Sequence, residues 1–252
     1  MSHSDDLTGF LNEWPYRPGE VNARKIKGAD GRPKLQIRLD LGVLQMELTG
    51  RPDGSRPHDC ESMLEYELAR LDAYRQENGS ENGFVLSSEE CRRLREEAVQ
   101  YYHRYVGRFA IGDHDGVIED TTRNLAVLDL CRAFGETETD RAVLEQFRPH
   151  IITMRTRSRA EQAIAADQPK HALSAIDSGL AELRVVFDEA GAGDRFENAN
   201  EVQLLRGMRD ALVPKLPMSE RIEKRERLRA ALDAENYELA AILRDELRML
   251  GD

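Results

Sequence analysis

Beyond residue 57, the apolar residues of this chain recur at helical spacing, and this feature restricts the possible folds more than any other. Charged residues make up 33% of the 252 residues and aromatic residues only 6%. That balance favours amphipathic helices around modest cores over a large β-structure. We predict helices at about 60–78, 88–111, 115–134, 141–166, 170–189 and 197–212. Gly79 is expected to end the first of these, and Ser87 with Glu90 is expected to form a capping box before the second. The expected fold class is mainly α (α+β), with a small N-terminal antiparallel β-sheet, a central helical-hairpin array and a C-terminal helical hairpin.

Residues 21–48 form the one segment with strand-like alternation. Its apolar residues alternate with polar ones at Leu35, Ile37, Leu39 and Leu41. This period is typical of a strand with one buried face. An Asp-Gly turn precedes the run. At Gly42 the apolar residues shift from odd-numbered to even-numbered positions, so a bulge or tight turn is expected there. We therefore predict two or three short antiparallel strands, whose apolar face packs on the helix that follows at 60–78.

The helical region contains an internal repeat with a period of 55 residues. Leu125 aligns with Leu180. The helix break at 112–113 aligns with the break at 167–168. Each unit is a long helix, a short break and a second helix, so the region resembles tetratricopeptide-like hairpins, which stack into a concave binding surface. The period is longer than the standard repeat and most signature residues are missing, so a simple four-helix bundle is the alternative.

Two prolines in the segment Val213–Pro217 mark a stiff linker after the helical region. This linker is the clearest domain boundary in the sequence. We predict three parts: the small sheet with one helix at 1–80, the helical-hairpin array at 81–213, and the linker with the terminal hairpin at 214–252.

The formal net charge of −11 weighs against direct nucleic-acid binding, because such binding depends largely on Lys and Arg contacts to phosphate. The first residues lack a basic stretch followed by an apolar run, so no signal peptide is expected. No stretch approaches the roughly 18 apolar residues of a membrane span. Cys60, Cys91 and Cys131 are widely spaced and odd in number, which is typical of a reducing compartment. We expect a cytoplasmic protein without membrane contact.

The sequence contains no recognisable catalytic motif, such as a phosphate-binding GxxxxGK[ST] loop or an HExxH metal helix. His103 has no identifiable orienting partner, so we assign it no catalytic role. The run Tyr101–Tyr105 suggests base stacking, but aromatic residues three and four positions apart more often form a core stripe. The acidic turn at 113–115 is interpreted as turn chemistry, and His58 with Cys60 offers too few ligands for zinc. We predict no catalytic, cofactor-binding or metal-binding residues.

The segment 218–252 has the apolar pattern of a two-helix hairpin. The apolar edges of its helices are Ile222, Leu228 and Leu232, and then Ala240, Leu243, Leu247 and Leu250. Asn236 lies at the corner and is expected to cap the second helix. Two helices of this length bury too little surface to be robust alone. Such a hairpin therefore tends to complete its core by pairing with another.

This segment resembles the UVR motif. Tyr237-Glu238-Leu239-Ala240-Ala241 and Arg244-Asp245 match the aromatic-Glu-x-Ala-Ala and Arg-Asp elements of that motif. The methionine usual in its first helix is replaced near Leu228 or Ala231. The motif is shared by the nucleotide-excision-repair proteins UvrB and UvrC, by Clp-type ATPases with their McsA-like partners, and by chloroplast Executer proteins. The order of sheet, helical array and hairpin also resembles bacterial UVR-motif proteins without a characterised activity.

The resemblance implies contact between proteins, because UVR hairpins pair with other UVR hairpins. The residues expected to make this contact are Leu228, Leu232, Tyr237, Glu238, Ala240, Ala241, Leu243, Arg244, Asp245 and Leu247. The expected partner is another UVR-motif protein, from the UvrB, UvrC or Clp-type ATPase systems, or a second copy of this chain. We expect a non-enzymatic adaptor or regulator. The alternatives are an accessory factor recruited to UvrB or UvrC in nucleotide-excision DNA repair, and an enzyme without a recognisable motif.

Overall fold

A computed structural model of the chain describes residues 6–212, 220–233 and 236–249, with side chains for all of these except 220–224, 238 and 245–249. The chain divides into two compact units, Met1–Arg209 and Asp210–Asp252, and each is considered by itself below. The predicted linker Val213–Pro217 lies outside the described residues, so the boundary at 213/214 stays a prediction. Within the described residues, no helix is both long enough and apolar enough to cross a membrane.

The chain is mainly α-helical with one small sheet, as the helical spacing predicts. The strands are β1 (Asn22–Lys27), β2 (Pro33–Arg38) and β3 (Val43–Glu47). The helices are α1 (Thr8–Glu13), α2 (Met63–Asn78), α3 (Ser88–Ala110), α4 (His114–Phe134), α5 (Glu138–Ala142), α6 (Arg148–Ala165), α7 (Pro169–Glu189), α8 (Asn200–Leu212), α9 (Glu220–Asp233) and α10 (Tyr237–Met249). Short 3-10 helices lie at Pro57–Asp59, Glu145–Phe147 and Gly193–Asn198.

The three strands form an antiparallel sheet in the order β1-β2-β3. Gly31 has a φ of +80° in the turn between β1 and β2, a backbone conformation that favours glycine. The second turn is closed by a hydrogen bond from the Leu39 amide to the Gly42 carbonyl, 2.9 Å long. The shift in the apolar pattern at Gly42 therefore corresponds to a turn between two strands. Leu39 and Leu41, predicted to continue the buried stripe, are exposed because β2 ends before them.

The apolar face of the sheet packs on α3. Leu35, Ile37, Met46 and Leu48 form its buried core. Gly107 of α3 lies directly over this face: a Cβ atom added there would stand 2.8 Å from Cδ1 of Ile37 and 2.9 Å from Cδ2 of Leu35. The prediction that the helix at 60–78 covers the sheet is wrong. A glycine allows α3 to approach the sheet closely, and α3 follows one helix later in the chain.

The opposite face of β2 is also covered, which corrects the predicted half-buried strand. Gln36 and Arg38 are both buried. The side chain of Gln36 accepts a hydrogen bond from Arg24 Nε of β1, 2.9 Å long. Arg38 Nε donates to the carbonyl of Trp14, at 2.8 Å. The side chains on this second face of β2 are polar, and they form hydrogen bonds within the protein. Their burial was therefore not apparent from the alternation of apolar and polar residues.

Capping residues fix the ends of α2 and α3 as the sequence predicts. Gly79 ends α2 in the left-handed conformation, with φ at 70°. Ser87 and Glu90 form a capping box at the start of α3. The helix predicted to begin at 141 instead begins at Arg148. Pro149 stands in its first turn, where proline is well tolerated, and the residues before it form the short helix α5.

The 55-residue repeat is present in the backbone. The helix pairs α3–α4 and α6–α7 are joined by equivalent turns, with Gly112 at φ +75° and Asp167 at φ +55°. In each turn, the amide of the next residue donates to the carbonyl five residues earlier, over 2.9 and 2.8 Å respectively. Val117 and Ala172, also 55 residues apart, are both fully buried in the helices that follow.

The helices stack in succession along the chain. Helix α4 packs against both α3 and α6, and α6 packs against α7. A closed four-helix bundle also brings its first and last helices together, whereas α3 and α7 have no comparable contact in the part of the chain that is described. The arrangement is therefore an array of helical hairpins.

Candidate functional site

Helices α9 and α10 form an antiparallel hairpin turned at Asn236. The Asn236 amide donates to the carbonyl of Ala231 at 2.8 Å and so closes the end of α9. The Asn236 side-chain Oδ1 accepts from the amide of Leu239 at 3.2 Å, which is the geometry of an N-cap. The predicted capping role of Asn236 is confirmed.

Loss of this cap is expected to destabilise α10. The change Asn236→Ala removes the acceptor for one otherwise unpaired helical amide, at a cost of about 1 kcal/mol. Backbone amides of α10 in the full-length protein should then exchange with solvent roughly fivefold faster, as measured by hydrogen–deuterium exchange. Asn236→Ser retains a capping oxygen and serves as the control. Equal exchange rates in the alanine and serine variants would show that the cap does not stabilise α10.

A small apolar core holds the two helices together. It consists of Ala231 from α9 with Ala240 and Leu243 from α10, and Leu228 packs against them. Leu243 is only 2% exposed. Small side chains at 231 and 240 let the helices approach closely, so α10 uses Ala240 and Leu243 within the hairpin itself.

Other apolar side chains of the hairpin lie on its surface. Leu232, Tyr237, Leu239 and Ile242 are exposed, and Ile242 is 52% exposed. Leu239 and Ile242 are three positions apart, so they lie on the same side of α10. Neither residue is among those predicted to bind a partner. The signal was present, because both are apolar and lie outside the stripe of Ala240 and Leu243.

The predicted protein-binding residues fall into three groups. Ala240 and Leu243 are buried in the hairpin core and Leu228 is half-buried beside them. Leu232, Tyr237, Ala241 and Arg244 are exposed. The side chains of Glu238, Asp245 and Leu247 lie outside the described residues. The exposed apolar surface is therefore not the expected stripe of alanines and leucines, and a binding role for all ten residues stays a prediction.

The Tyr-rich run on α3 is mainly part of the core. Tyr101 and Tyr105 are almost fully buried, and Arg104 between them is buried as well. Their faces are therefore not available for stacking on bases, and the predicted core stripe is confirmed. Tyr102 is the exposed member of the run.

Buried charged side chains near this run connect helices α2, α3 and α4. Glu97 of α3 accepts hydrogen bonds from the first two amides of α2, Met63 at 2.8 Å and Leu64 at 3.3 Å. Arg123 of α4 pairs with the same carboxylate and donates to Ser62 Oγ at 2.7 Å. A carboxylate at a helix N-terminus is stabilised by the amides that it satisfies. The geometry therefore gives Glu97 a structural role.

A second buried pair joins α3 to α4. Arg104 Nε and Nη2 contact the two oxygens of Asp120 at 3.0 and 2.6 Å. Arg104 Nη1 also donates to the carbonyl of Gly50, after β3, at 2.7 Å. This bidentate contact with a further backbone bond fixes the array to the end of the sheet.

Asp113 in the acidic turn and His58 beside Cys60, the residues considered as metal ligands in the sequence, make structural contacts. Asp113 caps α4 by accepting from the Gly116 amide at 3.3 Å. The ring of His58 stacks on Tyr66 with centroids 4.0 Å apart. Within the described residues, no group of three or more His, Cys, Asp or Glu side chains has the spacing to hold a metal ion.

The chain has no significant match among protein-family models, curated proteins or solved structures. The similarity of residues 218–252 to the UVR motif therefore rests on the sequence elements at 237–241 and 244–245.

Proposed function

We propose that this protein is a non-enzymatic adaptor or regulator that binds other proteins through the hairpin of α9 and α10. The observation that supports the proposal is the exposure of Leu232, Tyr237, Leu239 and Ile242 on a small two-helix unit. Each buried leucine or isoleucine side chain contributes about 1.5–3 kcal/mol. A partner that covers these side chains therefore gains substantial free energy.

The partner that fits this surface is another helical hairpin of the UVR type. The side chains of Leu239 and Ile242 form a ridge along one side of α10, and ridges of this kind pack between the side chains of a second helix. The resemblance to the UVR motif favours the same class of partner. Two partners of this class can be compared: the hairpin of UvrB and the hairpin of a second copy of this chain. The three cysteines are free, which fits a role in the reducing cytoplasm.

The test measures association before and after a charge is placed on the ridge. Ile242→Asp should weaken association at least about tenfold, because the carboxylate loses its water when the partner covers it. Sedimentation equilibrium of the full chain measures self-association. Calorimetric titration with the isolated UVR hairpin of a UvrB protein measures binding to another chain.

The matched control is Ala230→Asp, which adds the same carboxylate at an exposed position of α9. This variant should associate like the wild-type protein. Because position 242 is half exposed, Ile242→Asp should leave the circular dichroism of the protein unchanged. If the wild-type chain neither self-associates nor binds the UvrB hairpin, or if Ile242→Asp associates as tightly, the proposed docking role is wrong.

A further inference from the structure

Two of the three cysteines meet inside the helical array. Cys91 lies in the first turn of α3 and Cys131 in the last turn of α4, and both side chains are fully buried. Their thiols are hydrogen-bonded to each other, although 40 residues separate them in the chain. The packing of α3 on α4 therefore creates a buried pair of thiols.

Backbone contacts hold the two helix ends together. The amide of Leu86, just before α3, donates to the carbonyl of Phe134 at 2.8 Å, and the Leu86 carbonyl accepts from the amide of Glu136 at 2.9 Å. The same carbonyl accepts a hydrogen bond from Sγ of Cys91, 3.9 Å long. Cys91 Sγ thus lies between the Leu86 carbonyl and the Cys131 thiol. A small movement of the two side chains suffices to reach the length of a disulfide bond, about 2.05 Å.

The two thiols differ in acidity. The hydrogen bond from Cys131 lowers the pKa of Cys91, and the same bond raises the pKa of Cys131. The position of Cys91 in the first turn of α3 acts in the same direction, because the N-terminal end of a helix stabilises a thiolate. Cys91 is therefore the nucleophile of the pair, and Cys131 is the thiol that completes the disulfide.

We propose that Cys91 and Cys131 are a reversible redox pair, which forms a disulfide when the protein meets hydrogen peroxide. The Cys91 thiolate attacks one peroxide oxygen, the O–O bond breaks, and the departing hydroxide takes up the Cys91 proton as water. The sulfur of Cys131 then attacks the resulting sulfenic acid of Cys91. The S–S bond forms, the S–O bond breaks, and a second water carries away the Cys131 proton. Two electrons pass from the thiols to the peroxide.

The disulfide locks the start of α3 to the end of α4. It closes a loop of 40 residues, and a cross-link of this kind reduces the conformational freedom of the unfolded chain. Oxidation should therefore raise the melting temperature by roughly 5–10 °C. Because both sulfurs are buried, the first turn of α3 must open locally before peroxide reaches them. Cys60, which is partly exposed, should react first.

The experiment treats the full-length variant Cys60→Ala with hydrogen peroxide, because removal of Cys60 prevents its oxidation from obscuring the result. The free thiols of each chain should fall from two to none. After any remaining thiols are blocked, proteolytic digestion without reductant and mass spectrometry should show the peptides of Cys91 and Cys131 joined within one chain. The melting temperature should rise as stated. Dithiothreitol should reverse all three changes.

The control is Cys131→Ala in the same Cys60→Ala background. It retains Cys91 without its partner, so peroxide should produce no joined peptides within a chain and no rise in melting temperature. If this variant does not fold, the peptide measurement on the Cys60→Ala protein decides the proposal by itself. Absence of the joined peptides, joining only between two chains, an unchanged melting temperature despite the bond, or failure of dithiothreitol to reverse it would each overturn the proposal.

Discussion

Replacing Ile37 with aspartate is expected to lower the free energy of unfolding by roughly 3–5 kcal/mol, or to prevent the N-terminal region from folding. Ile37 is 6% exposed and lies against Gly107 of α3. The new carboxylate loses its water and meets only apolar atoms from the sheet and the helix. Equilibrium unfolding in urea, followed by circular dichroism of the full-length protein, measures the change.

Leu41→Asp is the matched control, because Leu41 lies in the turn after the same strand and is 89% exposed. It should change the stability by less than about 0.5 kcal/mol. Gln36→Asp should fall between the two. Gln36 is 5% exposed, and aspartate cannot reproduce its hydrogen bond to Arg24 together with the one to Gln45. Similar losses in the Ile37 and Leu41 variants would contradict the observed packing of the sheet on α3.

Removing Arg104 is expected to cost about 3 kcal/mol, because Asp120 loses its bidentate partner and keeps only the longer ion pair with Arg108 in a buried position. Asp120 is 2% exposed, and the nearest remaining cation is Arg108, whose Nη1 lies 3.6 Å away. The variant Arg104→Met retains much of the length of the side chain, so the loss reports mainly on charge and hydrogen bonding. Chemical denaturation of the full-length protein gives the magnitude.

The double variant Arg104→Met with Asp120→Leu tests the cause. If the buried charge of Asp120 is responsible, the second substitution should recover much of the lost stability. The exposed pair Arg92–Glu89 is the control, and Arg92→Met should cost less than about 1 kcal/mol. If the double variant is no more stable than Arg104→Met alone, the loss comes from the backbone hydrogen bonds of Arg104 rather than from the charge of Asp120.

In the helical array, the partners of the buried charged residues could not be predicted from the sequence. Arg104 lies within the aromatic run on α3, at the same helical spacing as the core residues around it. A charged residue at a core position signals a buried pair, but its partner Asp120 is on another helix. The Tyr-rich run indicated a core stripe, whereas only packing identified the acceptor of each arginine.

In the hairpin of α9 and α10, too, some features follow from the local sequence and others only from packing. Local chemistry predicted its two helices and the cap at Asn236, because a cap depends on residues adjacent in the chain. The distribution of apolar residues between core and surface depends on where the helices cross. That contact buried Ala240 and Leu243 and left Leu239 and Ile242 exposed.

The features that could be predicted from the sequence have local causes: a small antiparallel sheet with its turns, the caps of α2 and α3, and a helical repeat of 55 residues. Hydrophobic periodicity and turn residues act over a few positions, so they can be interpreted along the chain. Packing between distant parts of the chain was needed to show that α3 rather than α2 covers the sheet and that both faces of β2 are buried. The packing of α3 on α4 also brings Cys91 and Cys131 together. These features join residues distant in the chain, and their energies arise from packing and desolvation, which no local pattern records.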